Sequence, residues 1–479
     1  MSGDNNDLET PFTCPEYQCV AVENDYPTLW SWGCNDQGQL GLEDVINRSS
    51  PVQIGALTDW SFITGGANHT LATKTDGTLW AWGENIYGGL GLEDILDRSS
   101  PVQIGFLTNW SSVAGGFYYT TAIKTNGSLW SWGNNDQGQL GLGNRIRLSK
   151  PVQIGALTDW SSVACGYYHT LSIKTDGTLW SWGYNTYGQL GLGNGIWRSS
   201  PEQVGSLTDW SSVGGGVYYT LAIKTDGSLW SWGDNSSGQL GQEDILPRSS
   251  PEQVGALTDW SSIYVGGYYA LATKTDGTLW SWGDNLYGQL GQEDMIYRSS
   301  PEQVGALTDW SSVAAGGTHA LATKTDGTLW SWGRNHFGQL GLEDDIWCSS
   351  PEQVGSLTGW NSVAGGAHNS LGIRGFLEGC GVTQCATNEF ATFLWKNQNT
   401  NSTDEIHVTC KGMSDLAPSS STVYLQIYNT TSSGWENIDS DNATGADTPI
   451  TLFGSVTSGV ADYYSTGNWV NCRVYQEAI

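Results

Sequence analysis

The sequence predicts an all-β protein: a closed seven-bladed β-propeller followed by a smaller β-sandwich-like domain. Three observations carry this reading. A 50-residue unit recurs seven times with no insertion or deletion. Each copy holds about four short strand-like runs set off by turn residues. The array also begins and ends half-way through a unit, so its two ends complement each other.

The first signature, Leu29-Trp30-Ser31-Trp32-Gly33, returns at Leu79, Leu129, Leu179, Leu229, Leu279 and Leu329. The second, Trp60, returns at Trp110, Trp160, Trp210, Trp260, Trp310 and Trp360. A strict period of this length means one supersecondary unit per repeat, stacked or set in a ring. Within a unit, Thr70 to Lys74 and Thr78 to Trp82 flank Asp76-Gly77, a favoured pair for a tight hairpin turn. Gly33, Asn35, Gly38 and Gly41 then punctuate a long loop, which Pro51 ends before Val52-Gln53-Ile54. A further strand is expected around Trp60 to Ile63, ahead of Gly65-Gly66. A stacked solenoid would need atypical capping repeats, and none is seen. The array opens at Thr28 with one half-unit and closes near Arg374 with the other, so one blade is expected to be shared, like a clasp. The expected organisation is an N-terminal extension (1–27), the propeller (28–374), a Cys-bearing linker (375–385) and the sandwich-like domain (386–479).

Composition agrees. Charged residues are only 14%, with 64 Gly and 26 Trp, which is poor in helix formers and rich in turn formers and aromatics. Asp and Glu number 48 against 19 Lys and Arg, a net charge of −29 that repels phosphate backbones and anionic membranes. Nucleic acid is therefore not an expected partner. No apolar run reaches the roughly 18 residues of a membrane span, so no insertion is expected. The acidic, polar stretch 1–25 lacks the apolar core of a signal peptide, which for an external protein implies another route of release, such as lysis.

The pattern Gly-Gly-x-x-His-Thr, Lys-Thr-Asp-Gly and Trp-Gly-x-Asn-x-x-Gly-Gln-Leu-Gly closely resembles the regulator-of-chromosome-condensation repeat, over residues 28 to 374. The resemblance implies a seven-bladed propeller. For function it implies little, since the family includes a nucleotide-exchange factor for a small GTPase and an inhibitor of β-lactamase. The exchange role rests in the family on an extra β-hairpin wedge and a basic N-terminal arm. This repeat has no insertion and residues 1–25 are acidic, so the role transfers poorly.

Comparison between copies locates where specificity could lie. One column reads Asn47, Asp97, Arg147, Trp197, Pro247, Tyr297, Trp347; another reads Cys34, Glu84, Asn134, Tyr184, Asp234, Asp284, Arg334. A varied pair accompanies them: Asp36-Gln37, Ile86-Tyr87, Asp136-Gln137, Thr186-Tyr187, Ser236-Ser237, Leu286-Tyr287 and His336-Phe337. All follow the Leu-Trp-Ser-Trp-Gly strand and should share one face. Varied side chains on a fixed frame make a binding surface, with Asp97, Arg147, Tyr184, Trp197, Tyr297, Arg334 and Trp347 as candidates; drift at solvated loop positions accounts for them equally. A second set, His69, Tyr118-Tyr119, Tyr168-His169, Tyr218-Tyr219, Tyr268-Tyr269, His319 and His368, follows the glycines, and within it His69, Tyr119, His169, Tyr219, Tyr269 and His319 share one repeat position. In the resembling family this segment lies near the central channel, so these six are candidates for a ligand ring, packing along the channel wall being the alternative. The His residues fall one per blade, so a shared metal is not expected. Glu43-Asp44 and its equivalents in five units, replaced by Gly143-Asn144 and Gly193-Asn194 in the third and fourth, supply too few oxygens for calcium and read as a solvated rim.

No nucleophile elbow, phosphate loop, metalloprotease or dinucleotide motif is present, and no cofactor is expected. Cys14 and Cys19 precede the ring while Cys380 and Cys385 follow it, each pair spaced by four residues; disulfides, a four-thiolate zinc site and free thiols all stay open. In the last domain Ile406-Val408-Cys410, Val423-Leu425-Ile427 and Val470-Cys472-Val474 alternate as half-buried strands do, and Cys410 and Cys472 are a further disulfide candidate. The expectation is a non-catalytic structural or adhesive protein of an outer surface, foremost a phage virion component such as a head fibre, decoration or receptor-binding protein. Its partners would be a protein or glycan surface, or other virion or fibre subunits. A soluble protein-binding or inhibitor propeller, which could be cytoplasmic, and a polysaccharide-active enzyme are the alternatives.

Overall fold

A computed structural model of the chain describes residues 27–57 and 59–375 in full, and six later strands by their backbone. The chain divides into two units, Tyr26–Leu377 and a second comprising Met1–Asp25 with Glu378–Ile479. No helix among the described residues is long and apolar enough to cross a membrane.

The first unit is seven antiparallel four-stranded sheets. In blade 1 the strands run inner Trp60–Gly65, second His69–Lys74, third Leu79–Gly83 and outer Arg98–Gln103. Blades 2 to 6 repeat this every 50 residues. Each inner strand touches the inner strands of both neighbouring blades, and Trp360–Gly365 meets Trp60–Gly65, so the ring is closed. Blade 7 is the clasp. Its inner and second strands, Trp360–Gly365 and Asn369–Arg374, come from the end of the array, and its third and outer strands, Thr28–Gly33 and Arg48–Gln53, from the start. Thr28 pairs with Arg374 and the register holds without a slip to Gly33 and Asn369. Two strands from each end are shared, as the half-unit offset required.

Two local features differ from the sequence reading. Gly77 N donates to Lys74 O at 2.9 Å, Lys74 N donates to Thr78 O at 3.1 Å and Gly77 has φ +77°, so the hairpin has a three-residue loop, Thr75-Asp76-Gly77, with a left-handed glycine, one residue longer than an Asp-Gly two-residue turn. Pro51 does not end the loop but sits inside the outer strand, which already starts at Arg48. An outer strand leaves one edge unpaired, so the missing amide of proline costs no ladder bond there.

The core lies between blades. Seven buried clusters each join the second and third strands of one blade to the inner strand and the third-strand tryptophan of the next. Trp60, Trp80 and Trp82 show the pattern: Trp60 meets the other two edge-on, with ring centroids 6.0 and 6.2 Å apart. Because every core is shared, no blade buries its apolar face alone, and ring closure is a condition of folding. The Lys of each Lys-Thr-Asp-Gly motif joins this packing. Lys174 Nζ lies 4.9 and 4.6 Å from the rings of Trp160 and Trp180 and 3.2 Å from Asp159 Oδ2.

In the second unit, strands Ala391–Lys396, Trp469–Ala478, Ser421–Asn429 and Gly434–Asp441 form one antiparallel sheet in that order, and Ile406–Met413 pairs with Pro449–Val456. Cys410 stands on the two-stranded sheet and Cys472 on the four-stranded one. Cys14, Cys19, Cys380 and Cys385 lie outside the described residues. Cys34, Cys165 and Cys348 are free thiols.

Candidate functional site: the loop face of the propeller

In a four-stranded meander the first–second and third–outer connections emerge on the same side. One face of the ring therefore carries both sets of varied residues, and three concentric zones build it.

The innermost zone is a hoop of backbone bonds. Ala67 N donates to Gly116 O, Phe117 N to Tyr167 O, Tyr167 N to Gly216 O, Val217 N to Gly267 O, Gly267 N to Gly317 O, Gly317 N to Gly366 O and Ala367 N to Ala67 O, all at 3.1–3.3 Å. Five blades bring small residues or valine here, while Phe117 and Tyr167 bring rings that stack with centroids 5.3 Å apart. Burial pushes the Tyr167 hydroxyl up to about 12, with Tyr168 and Tyr268 adding to the effect.

The six residues expected as a ligand ring are turned into the seams between blades and present no surface to a ligand. His69, Tyr119, His169, Tyr219, Tyr269 and His319 are all fully buried. Each bonds to the next blade: His169 Nε2 to Thr220 Oγ1 at 3.0 Å, His69 Nε2 to Thr120 Oγ1 at 3.2 Å and His319 Nε2 to Ser370 Oγ at 2.9 Å. The hydroxyls of Tyr119, Tyr219 and Tyr269 donate to the backbone carbonyls of His169, Tyr269 and His319. They are staples between blades. Burial lowers His69 to about 4 and His169 and His319 to about 3, so all three are neutral in the fold.

The surface-facing aromatics are the other members of that set, one position earlier: Tyr118, Tyr168, Tyr218 and Tyr268, each half-buried. They stand in the turn just ahead of the second strand, which begins only at Tyr119, His169, Tyr219 and Tyr269, so the turn glycines before them were the signal that could have separated them. Tyr168 and Tyr218 stack at 5.9 Å, and Tyr218 meets Tyr268 at 6.4 Å. The loop column adds Tyr87 against Tyr118 at 5.0 Å, Tyr187 against Tyr218 at 4.8 Å, and Tyr184 between Trp197 at 4.7 Å and Tyr218 at 5.6 Å. A continuous aromatic crescent thus spans blades 1 to 5. Blades 1, 6 and 7 carry Asn68, Thr318 and His368 at the tyrosine position, and the loop of blade 6 brings Arg334 and Phe337.

The candidate residues of the outer loops are placed as follows. Asp97 is exposed but its Oδ1 accepts the Asn85 amide at 2.7 Å, as Asn47 does for Asn35, so it closes its own loop. Arg147 is exposed, pairs bidentately with Asp136 at 2.9 and 2.6 Å, and lies 4.5 Å over Tyr87 of the preceding blade. Trp197 is half-buried, donates to Thr186 Oγ1 and lies against Tyr184. Tyr297 is 48% exposed beside Asp284, and Trp347 is 42% exposed, edge-on to Tyr287 at 4.8 Å. Arg334 lies 4.9 Å over the same Tyr287. Tyr187, Tyr218, Tyr268, Asp234, Asp284, Ser236 and Ser237 surround a recess of 410 Å³ in blades 3 to 5.

The acidic pairs are architectural. The first residue of each pair has a left-handed backbone, φ 66° at Glu43 and 74° at Gly143, and its amide donates to the serine carbonyl of the next outer strand, from Glu43 N to Ser99 O at 2.7 Å through to Glu343 N to Ser49 O at 2.8 Å. The second caps the loop: Asp44 Oδ1 accepts Ile46 N and Asn35 Nδ2, and Asn144 Oδ1 likewise accepts Ile146 N. No group of three or more metal-ligating side chains occurs among the described residues.

These zones define a class of protein, a closed seven-bladed propeller with one differentiated loop face. The chain belongs to the regulator of chromosome condensation (RCC1) repeat family, whose model matches residues 28–73, 76–123, 126–173, 176–223, 226–273, 276–323 and 326–373. Among solved structures it is similar to Prp20p of Saccharomyces cerevisiae, with 22% identity and a TM-score of 0.66 over 75% of this chain and 93% of that one. It is also similar to human WBSCR16, with 23% identity and a TM-score of 0.65 over 73% of this chain and 99% of that one. Yeast RCC1 (Prp20) bound to Kap60 matches at 21% identity and a TM-score of 0.67, over 79% and 97%. At these identities the likeness is one of fold. No curated protein matches the chain.

Proposed function

We propose that the propeller is a non-catalytic scaffold that holds a protein partner on its loop face. The observation that carries this is the aromatic crescent: one frame repeats seven times, yet half-exposed tyrosines, with Trp197 among them, are gathered in blades 1 to 5 of one face. Rigid aromatics of this kind concentrate binding energy at interfaces. The described Prp20p, studied for binding to Gsp1p and histones, supports a protein as the class of partner. Supporting a role without catalysis, three of the histidines are buried staples and the phenols of Tyr167 and Tyr268 are pushed up to about 12, away from acid–base work at neutral pH.

The test compares Tyr184→Ala with Trp197→Ala against Leu157→Ser, an exposed residue on the opposite face. A single stoichiometric protein partner, lost in the first pair and kept in the third, supports the reading. Turnover of a polysaccharide, or a partner lost only with Leu157→Ser, overturns it.

We further propose the outer surface of a virion as the setting. A closed, rigid ring with a net charge of −29 suits display in solvent without sticking to nucleic acid or anionic membranes. Its presence in purified particles is the expected result; recovery from the host cytosol alone would sink the idea.

A further inference from the structure

The loop face repeats one arrangement three times, and the third differs. Tyr87, Tyr187 and Tyr287 occupy the same position of alternate units. Arg147, sixty residues on, lies 4.5 Å over Tyr87. Arg334, forty-seven residues on, lies 4.9 Å over Tyr287. The residues at those two offsets from Tyr187 are Pro247 and Asp234. Where its counterparts receive a guanidinium from the next blade, Tyr187 receives a carboxylate.

The surroundings match a cation from elsewhere. The recess at Tyr187 is walled by Tyr218 and Tyr268, and both Asp234 and Asp284 line it. Among the described residues no Lys or Arg lines this recess, lies over any of these three rings, or forms an ion pair with either Asp. Asp234 is held nearly buried by Ser236 Oγ and Gln239 Nε2, at 2.9 and 2.8 Å, and Asp284 accepts the Leu286 amide at 3.0 Å. Two fixed carboxylates beside stacked phenol faces suit a planar cation, because a guanidinium both stacks on aromatic rings and bonds carboxylates in a fork.

We propose that this recess receives an arginine side chain of the partner protein, stacked on Tyr187 and Tyr218 and paired with Asp234 and Asp284. The inference rests on the protein-binding reading of the loop face and names its chemistry. It completes in trans the contact that Arg147 and Arg334 make in cis.

The probe is the tripeptide acetyl-Gly-Arg-Gly-amide, titrated into the full chain by calorimetry, with the citrulline tripeptide as its neutral isostere. Arginine should bind at least tenfold more tightly than citrulline, and Asp234→Asn with Asp284→Asn should remove the difference. Asn134 makes the bonds of Asp234 in blade 2, to Asp136 N and Gln139 Nε2, so Asn is already tolerated there. A second variant, Asp234→Arg, should place its guanidinium over Tyr187, abolish tripeptide binding and leave the melting temperature within a few degrees. Equal binding of arginine and citrulline, or arginine binding unchanged in the double Asn variant, overturns the proposal. If the double Asn variant keeps a stoichiometric partner that Trp197→Ala loses, the arginine pocket is wrong and the loop-face function stands. Loss of the partner from neither variant defeats the function as well.

Discussion

His169 and Thr220 face each other across the seam between blades 3 and 4, with Nε2 and Oγ1 3.0 Å apart in a fully buried site. The pairing recurs with the same offset at His69 and Thr120 and at His319 and Ser370. Where the staple is Tyr219 or Tyr269, the facing residue is Ala270 or Ala320, because the phenol reaches the backbone carbonyl beyond it. Each histidine is thus met by a hydroxyl one blade away, whereas a tyrosine accepts either Ala or, at Tyr119, the hydroxyl of Thr170.

The buried histidines make stability fall with acid. Their pKa in the fold is lowered to about 3 or 4, while in the unfolded chain it is about 6.5. Below pH 6.5 the unfolded chain takes up protons the fold refuses, so stability is full above that pH and is lost progressively toward pH 4. Each histidine contributes at most about 1.4 kcal/mol per pH unit in this window. Replacing all three by Tyr, with Tyr119 beside Thr170 as precedent, should flatten the loss. Chemical denaturation at pH 7 and pH 4.5 reads it: the two proteins should diverge only at the lower pH, since the carboxylates are common to both.

The left-handed position of the loop predicts opposite effects for exchanges in opposite directions. Gly143 and Gly193 hold φ 74° and 72° with no side-chain penalty, while Glu243 and Glu293 hold 62° and 61°. A left-handed residue costs roughly 1–2 kcal/mol with a Cβ, offset in part by the greater freedom of unfolded glycine. Gly143→Glu should therefore destabilise by about 1 kcal/mol and Glu243→Gly should stabilise by up to that amount. Equal stabilities in guanidinium would refute the assignment of the column to backbone geometry.

The clasp can be opened and tested in trans. Deleting residues 1–53 removes the third and outer strands of blade 7 and leaves Asn369–Arg374 with an unpaired edge. It also strips Leu29 and Trp32 from the two seams they fill. Such edges recruit other chains. Light scattering should show larger oligomers or aggregates for the truncated protein than for the full chain, and a peptide of residues 27–53 should restore the full chain's size. A truncated protein that keeps the full chain's size without the peptide contradicts the clasp.

These relationships show where the sequence was readable. The 50-residue period and the half-unit offset fixed the ring and its closure, because a blade that shares its core with both neighbours admits no other arrangement of Thr28 and Arg374. The loop columns were also placed on one face by connectivity alone. What period could not give was side-chain direction within a two-residue step: Tyr118 and Tyr119 are adjacent, but the first ends a turn with φ 67° and stays on the face, while the second opens the strand and enters the seam. Nor could it show that Glu43 stands in place of glycine at a left-handed position, since an acidic pair looks alike whether it serves the backbone or solvent.

The lysine of each motif yields a last exchange. Asp209, Asp259 and Asp309 pair with Lys224, Lys274 and Lys324, at 3.4, 3.4 and 3.8 Å. In blade 2 the corresponding residue is Asn109, and Lys124 lies 3.6 Å over Trp130 with burial lowering its pKa. An ammonium drawn toward the ring with no carboxylate beside it is the least compensated of the set. Asn109→Asp should restore the pair and raise stability by about 0.5–1 kcal/mol, the modest value of an ion pair whose acid is partly exposed. The gain should appear at neutral pH and vanish once the new carboxylate is protonated. The same substitution reversed, Asp209→Asn, should cost a similar amount, and a double-mutant cycle with Lys224→Met would assign that cost to the pair.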